Sequence, residues 1–377
     1  MAAGAVLALL YVASAEAATN TFADAFGPRL RRLGDALARS IARSFPVIAA
    51  SPGVTFTFDF DAGAFVRSSE LLGQLFLERA ETVGRGKLNV SLDYQRVKID
   101  TIDGKDIEDL HDTTPILQRR GRPATIPELD IDVDTHEVTT NITYGVTDDL
   151  DVNLIVPVVY SEFGLSARLS APGAGSVPLR VRSSASGVGD LFLRGKYHVL
   201  RLDWLQLAGA LVLRVPSGKK SDFQGTGSVE VEPLLIASTP PLAPTRWLRL
   251  RGYANGGMNF DAEDVDGSEG HWGIGLDWLA SNRFTPAIAL LARHAFRRIE
   301  PAGFFDVPRR DLSTGRTFVA PLFGIRDRRP DYYDLSIGGR VSLWRDTVIG
   351  FVNAIVPLNR DGVRSDVIPL AGIEAEF

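Results

Sequence analysis

The chain of 377 residues contains no cysteine. That absence excludes a disulfide framework, a thiolate metal site and a cysteine nucleophile. Methionine occurs only twice, so little on the side chains is open to oxidation. Long apolar runs are missing too: beyond residue 17 no uncharged apolar stretch approaches the roughly 18 residues that a spanning helix needs. A membrane protein of this sequence would therefore have to be a closed barrel, the other fold that satisfies its own backbone in lipid. Excess positive charge is lacking as well. The formal net charge is −5, which offers no bulk attraction to nucleic acid, and no nucleic-acid partner is expected.

What is present begins at the carboxyl end. Stepping back by twos from Phe377 gives Ala375, Ile373, Ala371, Pro369 and Val367 on one face, with Glu376, Glu374 and Gly372 on the other. This alternation reads as a strand with one face to hydrocarbon and one to a polar lumen, and Phe377 reads as the terminal aromatic that barrel assembly machinery recognises. At the other end, residues 2–13 form a short apolar run followed by the small-x-small patterns Ala13-Ser14-Ala15 and Ala15-Glu16-Ala17. Residues 1–17 read as an export signal, although no Lys or Arg precedes the apolar run.

From residue 88 onward, alternating segments of strand length recur near 88–98, 130–145, 150–161, 189–200, 205–215, 228–238, 246–258, 271–280, 285–298, 332–344, 348–357 and 366–377. The connections between them alternate short and long, as periplasmic turns and outer loops do. All five Trp fall at segment ends, with Trp204, Trp247, Trp278 and Trp344 beside the short turns and Trp272 at the opposite end. Trp favours a membrane–water boundary, where its ring is apolar and its N–H stays wet. The expected fold is all-β, a transmembrane antiparallel barrel over 88–377 with twelve strands. Fourteen strands would result if two segments near 54–60 and 65–69 joined the wall. A secreted β-sandwich binding module would show the same alternation and is the alternative class.

Residues 18–87 form a different region. Leu30, Leu33, Leu37 and Ile41 recur at helical spacing, with Arg31, Arg32, Arg39 and Arg43 off that stripe. Such a region ahead of a barrel is either a hatch inside the lumen or a periplasmic segment. The inner faces of the strands are polar with both charge signs, which argues against a strongly ion-selective pore. Glu230 and Glu232 on one strand and Arg249 and Arg251 on the next are candidates for the substrate path and for pairing across the lumen. Arg326 and Arg328, in the Arg- and Phe-rich loop 299–331, are candidates for a mouth that captures an aromatic acid.

The motifs Gly187-Val188-Gly189-Asp190-Leu191, Lys196-Tyr197, Val215-Pro216-Ser217-Gly218 and Gly225-Thr226-Gly227-Ser228 resemble those of the outer-membrane channels of the phenol-degradation meta-pathway type. That family is related to the long-chain fatty-acid outer-membrane transporters. The lead-in Glu78-Arg79-Ala80-Glu81-Thr82-Val83-Gly84 is similar to theirs, whereas Ala375 stands where a Tyr is common. The resemblance implies passive uptake of small hydrophobic or aromatic compounds in a Gram-negative outer membrane, with lipid, lipopolysaccharide and the barrel assembly machinery as partners. A general porin or a purely structural barrel remains the alternative.

Enzymatic and metal signals are weak. None of His111, His136, His198, His271 and His294 is followed two residues later by Ser, which departs from the H-x-S arrangement of outer-membrane phospholipases and lipid A deacylases. No catalytic residues and no cofactor are expected. The acidic cluster Asp261, Glu263, Asp264, Asp266 and Glu269 before His271, and the row Asp130, Asp132 and Asp134, lack calcium-loop spacing and read as solvated surface.

Overall fold

The computed structural model describes residues 41–43, 56–59, 64–67 and 71–377, with gaps at 109, 118–122, 172–174, 246–247, 282, 298–305, 312, 322–328 and 345–346. Twelve strands form the wall: β1 (Leu88–Ile99), β2 (Pro123–Gly145), β3 (Leu150–Ala171), β4 (Leu191–Arg201), β5 (Gln206–Val215), β6 (Glu230–Ser238), β7 (Leu248–Asp261), β8 (Glu269–Trp278), β9 (Phe284–Ala295), β10 (Asp331–Trp344), β11 (Val348–Pro357) and β12 (Ile368–Glu376). Each is antiparallel to its neighbours in chain order, and β12 returns to β1 with Leu370 opposite Gln95 and Glu376 opposite Asn89. Closure leaves no unpaired edge in the wall. Phe56–Asp59 and Ala64–Arg67 do pair, but as a separate two-stranded sheet, so the count stays at twelve.

The polarity is that of a barrel immersed in lipid. Leu235 and Val352 on the outer face are 64 % and 62 % exposed, while Lys196 and Arg340 on the inner face are each 1 % exposed. A water-soluble sandwich would reverse this arrangement. Aromatic residues ring both rims of the apolar band. Tyr144, Tyr197, Trp204, Phe284, Trp344 and Phe377 are exposed at the short-turn end. At the long-loop end Tyr94 stacks on His136 with ring centroids 6.0 Å apart, His136 lies 6.1 Å from Tyr160, and Trp272 Nε1 donates to His294 Nε2 at 3.1 Å. Trp247 lies outside the described residues. A closed, even-numbered barrel with these girdles is a protein of the bacterial outer membrane.

The long-loop end holds more strand than the alternation indicated. β2 and β3 run 23 and 22 residues, and Gly175–Val188 adds to the upper half of β3 while β4 adds to its lower half. Above the Tyr94–His136–Tyr160 row the polarity inverts: Arg96, Asp132 and Glu162 face outward, while Val97, Ile131, Val133, Phe163 and Leu165 are buried inside. This crown is a soluble-type sheet continuous with the membrane wall. Leu110–Leu117 pairs with β2, and the hairpin Asp306–Arg310/Thr317–Pro321 joins that added strand through Arg309 opposite Ile116.

Candidate functional site

The lumen is occupied. Residues 71–87 run inside the barrel, where Leu75 packs with Phe351 and Leu370, Leu72 with Ile349, Leu77 with Tyr253 and Ala289, and Ala80 with Ala208, Ala210 and Ile236. These contacts reach inward-facing positions around most of the circumference. Because the segment has no regular structure, its buried backbone polar groups need partners from the wall. Leu72 N donates to Thr285 Oγ1 at 3.2 Å, Ala80 N to Ser238 Oγ at 3.0 Å, and Val83 N to the Asp151 carboxylate at 3.1 Å. Close approach also requires small wall residues: a Cβ on Gly273 would stand 2.6 Å from Leu77 Cδ2.

Charge holds the same segment. Glu78 pairs with Arg194 and, at 3.8 Å, with Lys196, while Glu81 pairs with Arg251 at 3.1 Å. Arg340 bridges Glu374 at 2.9 Å and the carbonyl of Gln74 at 2.9 Å. Nearer the long-loop end, Arg43 lies 2.5 Å from Glu230, 3.3 Å from Asp261 and 3.4 Å from Glu269, and Arg214 lies 3.5 Å from Glu230. Two of the five acids in the 261–269 cluster, Asp261 and Glu269, thus turn into the lumen. A third, Asp264, pairs with Arg297. In the row on β2, Asp134 accepts from Arg96 Nε at 2.9 Å. Among the described residues no three acidic or imidazole groups converge in metal-ligating geometry.

Between Arg43 and the lumen segment lies a cavity of about 290 Å³. Phe76 and Leu77 line its floor, Phe192, Leu234, Leu291 and Ile355 its apolar side, and Glu230, Glu232, His271, Arg293, Asp334 and Arg364 its polar side. The polar groups are matched: His271 lies 3.2 Å from Glu232, Arg293 3.4 Å from Glu269 and Arg364 2.6 Å from Asp334. The Tyr332 ring is flanked by Arg293 at 4.2 Å and Arg364 at 4.6 Å.

Of the path residues read from sequence, Glu230 and Glu232 reach this cavity. Their expected pairing with Arg249 and Arg251 does not form. In the antiparallel hairpin Glu230 stands opposite Asp261 and Ser238 opposite Tyr253, so the glutamates and arginines occupy opposite ends of the lumen. Arg251 instead holds Glu81, and Arg249 is exposed at the short-turn rim. Arg326 and Arg328 lie outside the described residues. In the described part of their loop, Asp311 accepts from the Ser313 and Thr314 hydroxyls at 2.6 and 2.7 Å, which holds its carboxyl well below the usual carboxylate range.

The glycine-rich motifs converge on Asp190, to which the sequence pattern alone gives no role. Val188 pairs with Val158 and Phe192 with Ile155, so four steps on one strand stand against three on the other. This bulge turns both Gly189 and Asp190 inward. The carboxylate accepts from Thr226 N at 2.8 Å, Gly218 N at 3.1 Å and Arg214 Nε at 2.8 Å. A Cβ on Gly225 would stand 2.2 Å from Asp190 Oδ1, so glycine is required there. Arg194, Lys196 and Arg214 were also missed as lumen residues. Their signal was the inward phase of β4 and β5, opposite Leu193, Tyr197 and Leu213.

No family model and no curated protein matches the chain. Among solved structures it is similar to an outer membrane channel, COG4313, from Pseudomonas putida F1, at 13 % identity and a TM-score of 0.46, covering 79 % of this chain and 98 % of that one. It is also similar to a FadL homologue from Pseudomonas aeruginosa, at 10 % identity and a TM-score of 0.32, over 78 % of this chain and 90 % of that one. A third is the NanC porin, at 8 % identity and a TM-score of 0.36, over 76 % of this chain and 98 % of that one.

Proposed function

We propose that this chain is an outer-membrane channel for passive uptake of small hydrophobic or aromatic compounds, of the type its glycine-rich motifs resemble. The observation that carries this reading is the lumen cavity, whose charged groups are matched in pairs beside a floor of Phe76 and Leu77. A neutral wall gives an ion little reason to enter, whereas apolar surface rewards a solute that leaves water. The occupied lumen favours this over a general porin, which keeps a continuous aqueous path. Residues 18–87 act in this reading as the hatch, with Glu78 and Glu81 as its locks.

The test is liposome swelling across phenols, short fatty acids and sugars, paired with planar-bilayer conductance. Uptake of hydrophobic solutes over sugars of equal size is expected, and uptake scaling with size alone would leave a general porin. Glu78→Gln with Glu81→Gln, or removal of residues 24–50, should raise conductance, and unchanged conductance in both would remove the hatch. Arg326→Ala with Arg328→Ala should weaken uptake of an aromatic acid a few-fold while sparing a neutral solute, because exposed ion pairs contribute about 0.2–1 kcal/mol each.

A further inference from the structure

On the lumen wall beside Ala42, β1 and β2 bring two acids together. Asp93 stands opposite Thr139 and Gln95 opposite Glu137 in the cross-strand register, all four facing inward. A separate cavity of about 30 Å³ touches all four side chains. Asp93 is 2 % exposed, and among the described residues neither of its carboxylate oxygens has a hydrogen-bond partner; Gln95 Oε1 is likewise without one there. Glu137 accepts from Gln95 Nε2 at 2.8 Å and from Thr139 Oγ1 at 2.9 Å, both on Oε1. Three carboxyl groups and one guanidinium line the cavity, from Asp93, Glu137, Asp190 and Arg214, so the acids outnumber the base by two. A buried carboxylate without a counter-charge or donor is costly, and among the described residues this site presents one with its oxygens bordering a cavity.

We propose that Asp93, Gln95, Glu137 and Thr139 form a binding site for one Ca²⁺. Two carboxylates match its charge, and the Gln95 amide oxygen and Thr139 hydroxyl add neutral hard ligands of the kind Ca²⁺ accepts in irregular geometry. Sodium would leave one charge uncompensated. Magnesium demands a near-ideal octahedron of short bonds and gives up its waters reluctantly, which four side chains fixed on two strands suit less well. Because Asp93 also stands opposite Gly372 of β12, the ion would sit beside the seam where the last strand meets the first. Its bridge between β1 and β2 makes that corner of the wall more resistant to heat.

The experiment uses the full chain refolded in detergent free of lipopolysaccharide and stripped with EDTA, titrated calorimetrically with CaCl₂ and, separately, MgCl₂. One Ca²⁺ per chain is expected, with at least tenfold preference over Mg²⁺, and a heat-modifiability midpoint that rises with Ca²⁺. At free Ca²⁺ 100 times the dissociation constant the folded state should gain about 100-fold over the unfolded. Asp93→Asn should abolish both effects, while Asp266→Asn in the exposed loop should keep them. If Asp93→Asn does not fold, Gln95→Leu should lower Ca²⁺ affinity at least tenfold. No Ca²⁺ heat with the wild-type chain, or unchanged affinity in the Asp93 or Gln95 variant, would overturn the site. A midpoint indifferent to Ca²⁺ and raised by Asp93→Asn would show instead that the acids share protons.

Discussion

Replacing Ile274 by Arg tests the reversed polarity of the wall at one position. Ile274 is 52 % exposed on the outward face of β8, between Trp272 and Trp278. It lies one residue from the midpoint of that span, about 3.3 Å along the strand. In a soluble protein a half-exposed Ile accepts Arg with a change of about 0.5 kcal/mol or less. At the middle of a bilayer the same change costs about 2–4 kcal/mol, which is roughly a 30- to 700-fold loss in the folding equilibrium. The control is Ser166→Arg, on the outward face of β3 beyond Tyr160, where the outer surface is already charged. Urea titration of refolding into lipid vesicles, read by gel mobility and Trp fluorescence, measures both. A loss below about 0.5 kcal/mol for Ile274→Arg, or equal losses at the two sites, would refute the membrane placement of β8.

Two further outcomes follow from the geometry. Asp190→Asn removes the charge that binds two backbone amides and Arg214, and should loosen residues 216–229 by about 2–4 kcal/mol, seen as faster proteolysis of that loop in intact cells; unchanged proteolysis would remove Asp190 as its anchor. Deletion of Phe377, 76 % exposed at the rim beside Leu88, should lower the amount of protein assembled in the outer membrane, and normal accumulation would show that the terminal aromatic is not read.

The wall was legible in the sequence because lipid and lumen impose opposite demands on alternate residues. The run Tyr333, Asp334, Leu335, Ser336, Ile337 carries both demands in five positions. The crown was not, because above Tyr160 the outward residues become Glu162, Gly164 and Ser166, which read as loop once a lipid-facing pattern is sought. Pairing inside the lumen failed for a different reason. Glu230 and Arg251 lie on adjacent strands, but the chain reversal carries them to opposite ends, and only the register reveals it. The Asp190 cradle joins residues up to 36 apart in sequence, a closeness that no local pattern encodes.

The inversion of polarity along β1–β3 divides one continuous sheet between two solvents. Its upper part has a small water-type core, in which Ile107, Ile131 and Val133 are fully buried and the Phe163 and Phe223 rings lie 6.1 Å apart. Its lower part owes its order to hydrocarbon and to hydrogen bonds that lipid cannot replace. Burial away from water holds the first and lipid with wall hydrogen bonds the second, so the same strands carry two kinds of stability. The crown can therefore fray and re-form while the barrel beneath it stays shut, leaving the part that meets the outside world free to vary without endangering the part that seals the membrane.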